Sequence, residues 1–184
     1  MKKAFIFHCW GGAGRNCWRG WLADQLTVSG FEVLCPDFPN TAEPELDEWL
    51  FEVHKYVEKF DEDWILIGHS LGCPTILRVL ESLGNNECVG GAFLVAGFAN
   101  DLGIPEIQSF IDGGFDWKKI NSKCKHFTVI NSDTDPFIEL KEGERLAKLL
   151  NTKLITEHNA GHINEGGGWT EYPRLLELIK NSQN

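Results

Sequence analysis

Residues 68–72, with the sequence Gly-His-Ser-Leu-Gly, are the stretch whose residue types and spacing could do chemistry. They follow the apolar run 64–67, which suits a buried strand, and they precede a helix-like stretch. A G-x-S-x-G pattern in this setting puts the serine on a tight, strained turn, because the two glycines let the backbone pass close to its neighbours. The pattern therefore predicts that Ser70 is a nucleophile.

A serine hydroxyl needs a base to take its proton, and that base is usually a histidine oriented by a carboxylate. His162 is the base candidate because it lies in the loop after the last predicted strand, with His158 as a weaker second choice. Asp135 is the acid candidate because Pro136 fixes the loop just after it. Asp133 competes with it, being closer to the end of the preceding strand. The order serine, acid, histidine is that of an α/β-hydrolase triad.

An acyl-transfer site also needs two backbone N–H groups that converge on the oxyanion. The sequence predicts Leu71 and Trp10 as these donors, the second from the glycine-rich segment 8–14. A phosphate-binding loop is the alternative for this segment, but it has neither G-x-x-x-x-G-K-S/T nor G-x-G-x-x-G. Trp10, Phe137 and Trp169 are candidates to line an acyl pocket, with ordinary packing as the alternative for each.

Strand-like and helix-like stretches alternate along the chain and must position these side chains. The predicted strands are 4–8, 31–35, 64–68, 91–95, 126–130 and 153–156, and the predicted helices are 16–29, 45–60, 71–83, 140–150 and 172–180. This alternation predicts a mostly parallel six-stranded sheet with helices on both faces and functional groups at the carboxyl ends of the strands. Residues 97–122 are predicted to form a loop with a short helix, too small for a separate lid domain.

Composition narrows the classes of partner. A chain of 184 residues suits one α/β domain over 1–184, and a net charge of -10 argues against nucleic acid and anionic membranes. The apolar run 4–8 is too short for a signal peptide, so a cytoplasmic protein without a membrane partner is expected.

The six cysteines form no C-x-x-C pair, so free thiols are expected and no metal or cofactor is predicted. The oligomeric state stays open.

Several of these stretches together resemble one small α/β-hydrolase family, that of the retinoblastoma-binding serine hydrolases and bacterial YdeN-type proteins. The likeness covers nearly the whole chain, through Gly11, Gly12, Trp18 and Trp21, the elbow strand 64–72, the acid loop 133–137, and 161–164 with Gly168 and Pro173. It implies a minimal fold without a lid and a serine hydrolase whose triad is Ser70, Asp135 and His162. Cys9 stands where many hydrolases have glycine, and the L-x-C-x-E motif is absent, so retinoblastoma-type binding is not implied.

The predicted activity is the cleavage of small carboxylic esters through a Ser-His-Asp triad and an acyl-enzyme. Short acyl groups are expected, because no sizeable lid would provide a deep apolar trough. Two alternatives remain: an amide or thioester hydrolase with the same triad, and a non-catalytic protein-binding module, since a fold does not imply a function. The expected partner is therefore a small, ester-like molecule.

Overall fold

Six parallel strands form the sheet in the computed structural model, which describes residues 1–182. They are β1 (Lys3–Phe7), β2 (Glu32–Leu34), β3 (Trp64–His69), β4 (Gly91–Val95), β5 (Phe127–Ser132) and β6 (Leu154–Glu157), in the order β2-β1-β3-β4-β5-β6. Each overlaps a predicted strand, and the α/β-hydrolase fold class is confirmed. The last two positions of the predicted 1–184 domain lie outside the described residues.

Helices cover both faces of the sheet. They are α1 (Trp18–Val28), α2 (Leu46–Tyr56), α3 (Gly72–Ser82), α4 (Trp117–Ser122), α5 (Leu140–Leu149) and α6 (Pro173–Asn181). Side chains alternate between the faces along β3, as a strand requires: Leu66 packs in the core layer that contains α2, α3 and α5, whereas Ile65 and Ile67 pack in the layer that contains α1 and α6. Within residues 1–182, no helix is long and apolar enough to span a membrane.

The segment 97–122 contains more structure than the one short helix predicted for it. A 3₁₀ helix, Pro105–Phe110, begins at a proline whose fixed φ suits a first helical turn. α4 follows, with the Asp116 side chain accepting a hydrogen bond from the Lys119 N–H at 2.9 Å. Together they place Ile107, Phe110 and Ile120 in the core layer beside α3, and this anchors the segment next to the carboxyl edge of the sheet.

Candidate active site

Ser70 lies on a sharp turn between β3 and α3. Its φ is +53°, a left-handed conformation that costs free energy for any residue other than glycine. Its backbone N–H donates to the Val95 carbonyl at 2.9 Å, which holds the turn against the end of β4. A Cβ at Gly68 would lie 2.8 Å from the Gly72 carbonyl carbon, and one at Gly72 would lie 2.5 Å from Phe7 O. The turn therefore requires both glycines of the pentapeptide.

His162 and Asp135 form a hydrogen-bonded pair beside this turn. His162 Nδ1 lies 2.8 Å from Asp135 Oδ2, and their side chains are 9% and 0% exposed. The other carboxylate oxygen, Oδ1, accepts the backbone N–H groups of Phe137 at 2.9 Å and Ile138 at 3.0 Å. Because a carboxylate only accepts, His162 Nδ1 carries the proton and Nε2 is left as a proton acceptor. This is the tautomer that a general base needs.

The competing residues Asp133 and His158 form a separate pair at the surface. Asp133 Oδ2 lies 2.6 Å from His158 Nδ1, whose side chain is 78% exposed. The hydrogen bond from His158, followed by one from the Asn159 N–H, lowers the pKa of Asp133. Asp133 therefore pairs with His158, and Asp135 is the carboxylate that contacts His162.

A cavity of about 300 Å³ contains both Ser70 and His162 in its lining. Its wall is mostly apolar, and part of it comes from the segment 97–122, which supplies Phe98, Leu102, Ile104 and Ile107. Ile138 is another apolar member of the wall. Within residues 1–182, no hydrogen bond joins Ser70 Oγ to the His162 ring. In unliganded enzymes this contact is often long and tightens only when substrate binds.

The two predicted oxyanion donors, Leu71 and Trp10, also line this cavity. His8 Nε2 accepts the Phe38 N–H at 2.8 Å, so His8 Nδ1 carries the proton and donates to the Cys9 carbonyl, also at 2.8 Å. No peptide bond among the described residues is cis. The trans peptide that follows Cys9 therefore points the Trp10 N–H in the direction opposite to that carbonyl.

The three predicted pocket residues have different outcomes. Trp10 and Phe137 line the cavity, and the Phe137 ring packs edge-on against the His162 ring at 5.1 Å between centroids. The prediction for Trp169 is corrected, because among the described residues Trp169 is not one of those that line the cavity. Its indole Nε1 donates to Ala160 O at 3.0 Å and its ring packs on Tyr172 at 4.9 Å. Trp169 therefore packs with the α1 and α6 side of the core.

Two residues beside the site had no signal in the sequence. His69, the variable position of the pentapeptide, is fully buried, and its Nε2 lies 2.9 Å from the His162 carbonyl. Arg19 Nη1 donates to His69 Nδ1 at 2.9 Å. These partners are 93 and 50 positions away from His69 along the chain, so no local pattern could have predicted them.

Comparison with known proteins identifies the family of this chain. The chain is 34% identical over 181 residues to YdeN of Bacillus subtilis (strain 168), covering 97% of this chain and 94% of YdeN. It is 28% identical over 177 residues to the serine hydrolase RBBP9 of Rattus norvegicus, covering 92% and 88%. The crystal structure of the ydeN gene product from B. subtilis matches with a TM-score of 0.94 at 32% identity, covering 99% of this chain and 98% of that one. The family model described as serine hydrolase matches residues 4–181, and this chain therefore belongs to the serine hydrolase family.

Proposed function

We propose that this protein hydrolyses small carboxylic esters, with Ser70 as the nucleophile, His162 as the general base and Asp135 as the orienting acid. The observation that carries the proposal is the buried His162–Asp135 hydrogen bond of 2.8 Å, beside a cavity that Ser70 also lines. A histidine in the required tautomer next to a serine on a strained turn is the arrangement that activates a hydroxyl for acyl transfer.

The reaction follows from the roles of these groups. Ser70 Oγ attacks the acyl carbon while His162 Nε2 takes its proton, and the backbone N–H groups of Leu71 and Trp10 stabilise the oxyanion. His162 then protonates the leaving alcohol and an acyl-enzyme remains. Water, deprotonated by His162, attacks the acyl carbon. The bond from that carbon to Ser70 Oγ then breaks, His162 returns the proton to Oγ, and the acid is released. Asp135 stabilises the imidazolium in both halves of the reaction.

The cavity supports a small, uncharged acyl group. A volume of about 300 Å³ lies at the lower end of the range for small-molecule pockets. Its wall includes Leu102, Ile104 and Ile107, and such a wall would leave a charged acyl group without partners. The formal net charge of -10 also disfavours the approach of anionic substrates. Short-chain esters are therefore the proposed class, and amides and thioesters of the same acyl groups would use the same steps.

The test uses a fluorophosphonate probe and a panel of p-nitrophenyl esters of increasing acyl length. We expect the wild type and the control variant Ser29→Ala, at an exposed serine, to be labelled, and Ser70→Ala to remain unlabelled. We also expect kcat/KM to be highest for short acyl chains. An unlabelled wild type that hydrolyses no ester would contradict the proposal, and a partner that binds Ser70→Ala equally well would then favour a protein-binding module.

A further inference from the structure

Arg19 is a buried cation that connects three parts of the candidate site. It lies on α1 and is 2% exposed. Besides the hydrogen bond to His69, its Nη2 donates to Ala13 O at 3.0 Å and its Nε donates to Gly14 O at 3.3 Å. The guanidinium thus joins α1 to the glycine-rich segment 8–14 and to the turn that carries Ser70.

No carboxylate lies within ion-pair distance of Arg19 in the described part of the chain. Arg15, four residues earlier, instead pairs with Asp24 at 2.5 Å on the surface. A guanidinium cannot lose its proton in a protein, so Arg19 keeps its charge in the interior. Burying an unpaired charge is costly, and all the acceptors of Arg19 are neutral. A neutral side chain would fill this site at lower cost, which indicates that the charged, donor-only character of Arg19 has a role.

That role follows from what Arg19 does to His69. Arginine only donates, so His69 Nδ1 must accept, and the ring proton must lie on Nε2. Nε2–H then donates to the His162 carbonyl at 2.9 Å. Burial, followed by the Arg19 charge and the neighbouring His162 and His8 rings, holds the pKa of His69 well below its usual value. The neutral Nε2–H tautomer is the form compatible with both contacts.

The loop that carries His162 needs such an anchor. Residues Asn159, Gly161 and Ile163 all have positive φ, between +49° and +55°. For the β-branched Ile163 this is a strained conformation that persists only where surrounding contacts hold it. Two contacts from the α1 side do so: Trp18 Nε1 donates to Ile163 O at 2.8 Å, and His69 Nε2 donates to the carbonyl of the preceding residue.

We propose that Arg19 is a positioning residue for the base: by donating to Nδ1, it fixes the orientation of the His69 ring, which holds the His162 carbonyl and so the backbone that carries the imidazole beside Asp135 and the cavity. The inference rests on the proposed function. Without Arg19, Nδ1 loses its donor and the His69 ring is held only by the Nε2–H bond to the His162 carbonyl. The ring can then rotate, that bond weakens, and the strained His162 backbone shifts.

The experiment compares Arg19→Met and Arg19→Lys with Arg15→Met, which removes an equal charge from the surface. For hydrolysis of the best ester, we expect Arg19→Met to lower kcat about tenfold or more, because small displacements of a catalytic group have large effects on rate. We expect KM to change less than about twofold, since Arg19 does not line the cavity. Arg19→Lys, which restores the charge and one donor, should recover part of kcat, and Arg15→Met should match the wild type.

Nitrogen-15 NMR of the histidine rings provides a readout that needs no turnover. In the wild type we expect His69 to be a neutral Nε2–H tautomer whose pKa lies well below that of an ordinary histidine. In Arg19→Met we expect the resonance of the unprotonated Nδ1 to shift, because Nδ1 loses its donor. An Nδ1–H tautomer in the wild type, or a folded Arg19→Met with wild-type kcat, would overturn the proposal. A wild type that the fluorophosphonate probe does not label would instead overturn the proposed function. The tautomer of His69 would still decide whether hydrogen bonds run from Arg19 through His69 to the His162 carbonyl. If Arg19→Met does not fold, the wild-type tautomer and the kcat of Arg19→Lys decide it.

Discussion

Asp133 and Asp135 stand two positions apart, each bonds a histidine, and burial is what distinguishes them. The Asp135 side chain is 0% exposed and accepts two backbone N–H groups through one oxygen, which leaves the other for His162. Asp133 is 33% exposed, and its histidine is exposed as well. Ion pairs exposed to water contribute little to stability, whereas a hydrogen bond shielded from water can fix the tautomer of a base.

We therefore expect Asp135→Asn to lower kcat by about 10³–10⁴-fold, because an amide can donate to Nδ1 and so select the wrong tautomer of His162. Asp133→Asn is the matched control and should leave kcat within about twofold of wild type. Steady-state hydrolysis of a short ester measures both. A large loss in Asp133→Asn with little change in Asp135→Asn would reverse the assignment.

The residues of the proposed triad could be selected from the sequence because each has a local signal: a pentapeptide around Ser70, a proline after Asp135, and a glycine before His162. The residues that position the triad side chains had no such local signal. Arg19 and His69 act through partners far away in the chain, and their importance appears only when the fold brings α1 against the turn. Trp169 shows the converse, since the sequence made it a candidate to line the pocket, whereas its indole N–H is bound to a backbone carbonyl.

The close packing of β3, α3 and β1 depends on the absence of side chains at the two glycines of the turn. We expect Gly72→Ala to destabilise the protein by about 3 kcal/mol or more, because the new methyl group would meet the β1 backbone at 2.5 Å and neither element can move. Gly91→Ala, in β4, is the control, since its Cβ would make ordinary contacts at 3.5 Å and beyond. Urea unfolding measures both, and equal midpoints for the two variants would contradict this packing argument.

The strands and helices could largely be predicted, because short apolar runs alternate along the chain with stretches whose apolar residues have helical spacing. The ends of the elements show the limits. The predicted helix 45–60 runs four residues beyond the C-terminal end of α2, since Val53, Val57 and Phe60 keep a helical spacing of buried positions. In the structure α2 ends at Tyr56, and Val57 is extended with φ -133° and ψ 108°. A hydrophobic pattern reports which residues are buried, and an extended chain can bury the same residues.

Buried neutral histidines couple the stability of the whole protein to pH. Burial is the main cause that lowers the pKa of His8 to about 4, and burial also lowers the pKa of His69. In the unfolded chain a histidine takes up its proton near pH 6.5. Below that pH the unfolded state therefore binds more protons, so the contribution to stability is fully present above about pH 6.5 and is lost as the pH falls towards 4.

We expect the free energy of unfolding to fall by about 2 kcal/mol between about pH 7.5 and pH 5 from His8 alone. Urea titrations at a series of pH values measure this dependence. His8→Asn, whose amide can still donate to Cys9 O, should weaken the dependence, and the exposed His126→Asn should leave it unchanged. Equal free energies of unfolding for the wild type at the two pH values would rule out neutral burial of these rings.

The cavity wall supplied by Phe98, Leu102, Ile104 and Ile107 has an evolutionary consequence. The proposed reacting side chains follow β3, β5 and β6, whereas these four residues come from one stretch between β4 and β5. These four wall positions are therefore encoded apart from the proposed triad, unlike Phe137 and Ile138, which lie close to Asp135 in the sequence. Mutation or recombination confined to codons 97–122 could give descendants with new substrate preferences while the inherited reaction is preserved.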